Sequence, residues 1–185
     1  MGNREFGLYD PEQEKSNCGV GFITRKDGRQ TQDVLRMGHE ALCAVPHRGG
    51  MSSEGVGDGA GVSIDLSENF FRHLTRRNDL KLGEFGVGNF FLPNDTGQHE
   101  TAEKLIESVL QEHGFQILLK RDVPVNNSAL RPRAAAHQLS IRQWIFEPSE
   151  GAEQRAMPDR DIHRVLLAIE AEAYTNADLE GLYPL

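Results

Sequence analysis

Cysteine is scarce in this sequence: there are two in 185 residues, Cys18 and Cys43. Two thiols cannot build the framework of bridges that staples small secreted domains, so a reducing, cytoplasmic compartment is the expectation. Basic residues are in the minority, 20 Lys and Arg against 28 Asp and Glu, which leaves a formal charge of −8. A chain of that sign gains nothing from releasing counterions off a phosphate backbone, which argues against a nucleic-acid partner. Long apolar runs are missing too. None approaches the ~20 residues that cross a bilayer, and residues 1–17 are charged where a secretory signal would be apolar, so no membrane partner is expected. What is present, 38% hydrophobic and 26% charged residues, is a globular composition at a length suited to one domain.

The pattern along the chain alternates between helical and extended segments. Residues 18–24, from Cys18 to Thr24, are compact, apolar and compatible with a strand, and Lys26-Asp27-Gly28 supplies a turn after them. A helix is expected over 31–44, with Val34, Leu35, Gly38, Ala41, Leu42 and Val45 on one stripe, and Pro46 stops it. The glycine-rich stretch 49–61 reads as a loop feeding a strand over 60–66, with a short helix over 68–76. Further strands are expected over 85–92, 115–120 and 139–146. A helix over 98–113 has Asp95 at its capping position and Gly114 at its stop. Residues 123–136 read as irregular. Pro158 opens a last helix whose stripe is Ile162, Val165, Leu166, Ile169 and Ala173. Residues 176–185 read as a turn-like tail that stops where a further strand could begin, leaving a sheet edge open.

Several motifs bear chemistry or imitate it. Cys18 is either a small buried residue of a core strand or a nucleophile. In the second case removal of residues 1–17 would expose an α-amino group able to take the thiol proton. His47-Arg48-Gly49-Gly50 is either a helix exit or a fixed guanidinium fork for a carboxylate or carbonyl. Gly55, Gly57 and Ala60 imitate a dinucleotide fingerprint, but a strand is expected after them and not before, so the run reads as a tight turn. His39, Cys43 and His47 are four residues apart. Pro46 interrupts that face and no second ligand pair stands at zinc spacing, so no metal is expected and Cys43 reads as core. Trp144 and the Phe90–Phe91 pair read as packing in strands, not as a binding platform.

Three of these segments in order, Cys18-Gly-Val-Gly-Phe-Ile23, Pro46-His-Arg-Gly-Gly50 and Gly57-Asp-Gly-Ala-Gly61, resemble the amino-terminal glutaminase domain of glutamate synthase large subunits. That domain is a class II glutamine amidotransferase of the N-terminal-nucleophile hydrolase fold. The likeness continues through Glu84–Pro93, Arg121–Ser128 and Ile141-Arg-Gln143. It implies an α+β fold, a four-layer αββα sandwich. It also implies a propeptide-like segment over 1–17 and the N-terminal part of a glutamine amidotransferase domain over 18–185. Cys18 would be the catalytic residue, attacking the side-chain amide of L-glutamine. Arg48 and Gly49 would shape the glutamine pocket, and Gly57, Asp58 and Gly59 would form a motif loop with no assigned chemical role.

The resemblance further implies that the ammonia released serves glutamate formation from 2-oxoglutarate in a synthase domain working with a small subunit. FMN and an iron–sulphur cluster belong to the rest of that large subunit and no cofactor to these residues. Lys120, in place of an aromatic residue, and Leu130-Arg131, in place of Leu-Gly, depart from the family pattern. The family's glutamine-gripping Arg-Phe-Ser-Thr-Asn run and its oxyanion Asn-Gly pair have no match here. The sandwich is accordingly expected to be incomplete at the C-terminus and the isolated chain to be inactive. The alternatives are a non-catalytic or split module that pairs with a separately encoded partner, and an amidotransferase of a related synthase such as one making N-methylglutamate.

Overall fold

The structure is a computed structural model, and it describes residues 20–44, 59–149, 159–176, 179 and 182–184. The chain divides into two compact units, Met1–Asp65 and Leu66–Leu185.

In the first unit the expected helix forms as α1, Gln32–Ala44. Val34, Gly38 and Leu42 are half-buried at helical spacing, and a Val62 methyl lies 3.7 Å from where a Cβ on Gly38 would stand. Before α1, Gly28 takes φ +66° in a turn closed by its N–H donating to the Arg25 carbonyl at 3.1 Å. The strands expected over 18–24 and 60–66 are corrected by the structure: residues 20–24 and 60–66 lie outside any sheet. Val20, Phe22 and Ile64 are exposed. A strand needs a neighbour for its backbone N–H and C=O groups, and among the described residues of this unit none is offered. Apolar, β-compatible composition states a local preference; pairing is what realises it.

The second unit holds a four-stranded antiparallel sheet in the order β2-β3-β1-β4. The strands are β1 (Gly86–Leu92), β2 (Phe115–Asp122), β3 (Ser140–Pro148) and β4 (Tyr183–Pro184). The helices are α2 (Glu68–Thr75), α3 (Thr96–Glu112), the single turn α4 (Pro132–Ala136) and α5 (Asp159–Thr175). Alternation along β3 separates two cores. Trp144 and Phe146 join Phe90, Leu92 and Phe115 beneath Ile106, Leu110, Val165 and Ile169 of α3 and α5. Ile145, pointing the other way, joins Phe85, Leu80 and Phe71 of α2.

Local chemistry accounts for the boundaries. The Asp95 carboxylate accepts from the Gly97 and Gln98 N–H groups, both at 3.0 Å, and so starts α3. Gly114, at φ +80°, ends it in the left-handed region that favours glycine. Gly88 matters for a different reason: a Cβ there would come within 2.6 Å of the Phe90 ring, which folds back to meet Trp144 edge-on at 5.1 Å. The stretch expected to be irregular, 123–136, contains a 3-10 turn (Asn127–Ala129) and α4, started by Pro132 in its first turn. The tail is not wholly turn-like, because Tyr183 and Pro184 pair with Phe91 and Phe90 on the outer side of β1. Pro158, expected to open α5, lies outside the described residues.

Candidate functional site

Of the residues singled out as the site, Cys18, Arg48, Gly49, Gly57 and Asp58 lie outside the described residues. Gly59 is described: it is exposed at φ +79°, and residues 59–66 lie outside any helix or sheet. In the same unit, Arg25 donates Nε to Asp27 Oδ1 at 2.8 Å and Nη2 to Oδ2 at 2.7 Å. The Arg25 hydrogen bonds, and then the Arg29 N–H, hold the Asp27 carboxyl below its usual range. This fork lies in the turn that precedes α1. Among the described residues no group of three or more His, Cys, Asp or Glu could hold a metal ion.

Cys43 departs from its expected core position. It is exposed on α1, and its sulphur stands 3.7 Å from His39 Nε2. The helical stripe explains this, since Leu42 takes the half-buried position and Cys43, one residue on, turns roughly 100° away.

Three segments that carry the family likeness converge on one face of the sheet in the second unit. Arg121 of β2 donates its Nε–H to Gln143 Oε1 on β3 at 2.8 Å, and Gln143 Nε2 donates to Asn89 Oδ1 on β1 at 2.9 Å. The Arg121 guanidinium lies over the Phe70 ring of α2, 5.6 Å from its centroid. Gln143 is buried, so both ends of its amide need these partners, and the row ties β2, β3 and β1 together in one direction of donation. The reading of single residues missed this row. Its signal was present, one polar residue in each of three β-compatible segments, but the register that aligns them is not a local property.

On the opposite face Glu103 of α3 accepts from Lys120 at 3.0 Å and from Arg142, and His99 Nε2 stands 3.2 Å away. Lys120 also reaches Glu107 at 2.6 Å. Lys120 therefore ties α3 to β2 through two carboxylates. A cavity of about 80 Å³ between β1, α3 and α5 is lined by apolar side chains such as Phe90, Leu110 and Ile169, which offer a glutamine amide no donor or acceptor.

Against this geometry, the profile of class II glutamine amidotransferases matches residues 18–184, and the chain belongs to that family. Within it, the chain is 32% identical over 178 residues to the glutamate synthase [NADPH] large chain of Bacillus subtilis, covering 95% of this chain and 11% of that one. It is 29% identical over 185 residues to the glutamate synthase [NADH] of Saccharomyces cerevisiae, covering 96% of this chain and 9% of that protein. The glutamate synthase [NADPH] large chain of Azospirillum brasilense is 36% identical over 150 residues, 77% of this chain and 10% of its own. The chain thus spans about a tenth of the length of these relatives. Mixed helix and strand content with a small antiparallel sheet is what the described part of this amidotransferase domain contains.

Proposed function

We propose that these residues carry the nucleophile side of a glutaminase that supplies ammonia to a glutamate synthase. The observation that supports this most directly is the extent of the amidotransferase match, which opens at residue 18, where the chain has a cysteine. Removal of residues 1–17 would place a thiol and a free α-amino group on one residue. An α-amino group titrates at about 7.7–8.0 and so accepts the thiol proton near neutrality. The Cys18 sulphur then attacks the side-chain carbonyl carbon of L-glutamine. The C–N bond breaks, ammonia departs with the proton held by the amine, and a γ-glutamyl thioester remains. Water, deprotonated by the same amine, releases glutamate and restores the thiol.

Arg48 and Gly49 shape the glutamine pocket in this reading, and the loop of Gly57, Asp58 and Gly59 orders the chain beside it. Family membership also supports the four-layer αββα sandwich as the architecture of the complete domain. The ammonia goes on to glutamate formation from 2-oxoglutarate, with the remainder of a large subunit and a small subunit as partners. The cofactors fall to that remainder. Iron–sulphur clusters are held by cysteine thiolates, commonly about four, and the 185 residues contain two cysteines, one of them the nucleophile.

Residues 1–185 by themselves are expected to release little or no ammonia, since they carry no match to the family's glutamine clamp or oxyanion pair and losing an oxyanion donor alone costs about 10²–10³ in rate. The test measures glutamine-dependent ammonia release by the chain, alone and mixed with the complementary part of a synthase, alongside its N-terminal sequence. Release that starts with a Cys18 N-terminus and disappears in Cys18→Ala is the expected result. Release that survives Cys18→Ala, or none in either sample, overturns the reading.

A further inference from the structure

The two edges of the sheet differ in chemistry. β2 carries the bulge at Leu118 and the charged run Lys120-Arg121-Asp122, and both features discourage a further strand. On the outer side of β1, β4 pairs with Phe90 and Phe91, and among the described residues nothing pairs with Gly86–Asn89 there. That stretch has no charge, no proline and no bulge, so it remains a template for pairing. Backbone groups alternate in direction along an antiparallel strand, so about half of those in Gly86–Asn89 turn toward the open side. Val87, Gly88 and Asn89 are half-buried, whereas Phe90, opposite Pro184, is buried. The apolar cavity of about 80 Å³ lies at the same place. Val87 and Gly88 form one wall and Ile162 and Leu166 of α5 another, and α5 is in contact with β4. Gly88 faces α5, because its partner Trp144 and its near neighbour Phe90 belong to the core on that side. The volume is about half of the ~150 Å³ that accepts benzene, and its walls offer a water no partner, so it suits one aliphatic side chain.

We propose that the open side of β1 receives an extended segment of a second polypeptide, antiparallel to Gly86–Asn89, with an aliphatic side chain opposite Gly88 filling the cavity under α5. Residues directly opposite on antiparallel strands project to the same face. On a strand continuing the line of β4, the residue opposite Gly88 therefore points into the cavity, over a position with no Cβ in its way. Main-chain bonds supply the affinity and the cavity supplies the choice of side chain. A second copy of this chain does not fit. Pairing two copies through the same edge about a two-fold axis keeps the α5-facing residues together. It sets Gly88 against Gly86 or Gly88 and brings no side chain to the cavity.

The test adds a short capped peptide, alternating threonine with valine and carrying one central leucine, to the full chain. Binding is read from the emission of Trp144, the single tryptophan and a neighbour of Phe90, and from amide exchange over Gly86–Asn89. At up to ~1 mM the leucine peptide should shift the emission and slow the exchange. Replacing its leucine by aspartate should weaken binding by about 10-fold or more, because the buried aliphatic group is lost. Methylating the alternate peptide nitrogens that face β1 should abolish the protection of Gly86–Asn89. Leu166→Phe, which fills the cavity from the α5 side, should weaken the leucine peptide by about 10-fold. The peptide series is read on the wild-type chain, so it decides the question even where Leu166→Phe fails to fold. No binding at ~1 mM, equal binding of the leucine and aspartate peptides, or protection that survives methylation would each overturn the proposal. Protection of Gly86–Asn89 that grows with the chain's own concentration, without peptide, would overturn it as well and make a second copy the occupant. Cys18 takes no part in these measurements, so the glutaminase reading stands or falls separately.

Discussion

Asp79 is held by the Arg77 guanidinium through two bonds of 2.8 and 2.7 Å, and this brings its carboxyl from 3.8 down to about 2. Arg77 also reaches the half-buried Glu147 at 3.2 Å, so one guanidinium joins the loop after α2 to the end of β3. A carboxyl with a lowered folded value favours the folded chain when ionised. Its contribution is complete above the unfolded value and is lost as pH falls through 3.8 toward 2. Asp79 is well exposed, so the effect is small and screened by salt. Melting temperature against pH should show wild type above Asp79→Asn by a constant margin near neutrality, with the margin closing below pH ~4 and shrinking in ~1 M salt. A margin that widens in acid would refute the assignment. Cys43 teaches a different lesson at this scale. Cysteine as a residue type is usually buried, and that average misled; the phase of Val34, Gly38 and Leu42 around α1 already put position 43 off the half-buried stripe.

Gly88, Phe90 and Trp144 act together where β1 meets β3. The missing Cβ leaves room for the Phe90 ring, and the ring's placement decides how Trp144 is covered. Gly88→Ala should destabilise the chain by about 1–3 kcal/mol, the usual range for overpacking, as read from urea unfolding. Phe90→Leu in the same protein should recover part of that loss. If Gly88→Ala unfolds at the wild-type midpoint, the ring has another place to go. Elements with their own punctuation were legible from sequence. Asp95 and Gly114 bracket α3, a regular stripe runs through α5, and β1 and β3 emerged close to their expected limits. The segments 18–24 and 60–66 carried equally apolar sequence, yet their described residues form no strand, because a strand's stability resides in its neighbours. The row of Arg121, Gln143 and Asn89 was hidden for the same reason. Each member was visible, while the register joining them spans 54 residues of chain.

Across the whole molecule, every buried hydrophobic side chain among the described residues belongs to the unit Leu66–Leu185, from Phe71 to Leu182. Helix α1, in the other unit, has 13 residues and none buried. Helices of about 12–15 residues are marginal in water without a packed face. Amide exchange followed by mass spectrometry should therefore find α1 exchanging at least ~10²-fold faster than α3, whose Ala102, Ile106, Val109 and Leu110 are enclosed. Equal protection would show that α1 is held by surfaces that the described residues do not supply. The family was legible because short motifs around Cys18, Arg48 and Asp58 can be read without any knowledge of pairing. Their mutual geometry was not, since those residues come from separate stretches of chain and a motif carries no coordinates.

The bulge in β2 has a consequence for aligning this chain with shorter or longer ones. Eight residues, Phe115 to Asp122, lie opposite seven on β3, because Ile117 pairs with Phe146 and Leu119 with the very next residue, Ile145. Leu118 is the supernumerary residue, and it shares the α2-facing core with Leu119. A one-residue gap opened at 118 leaves Lys120 opposite Trp144 and Arg121 opposite Gln143, so the acid-binding side and the amide-bonded side keep their occupants. The same gap opened at 120 would exchange the two sides up to that point. Within this strand, length can vary at one place without inverting what each face displays.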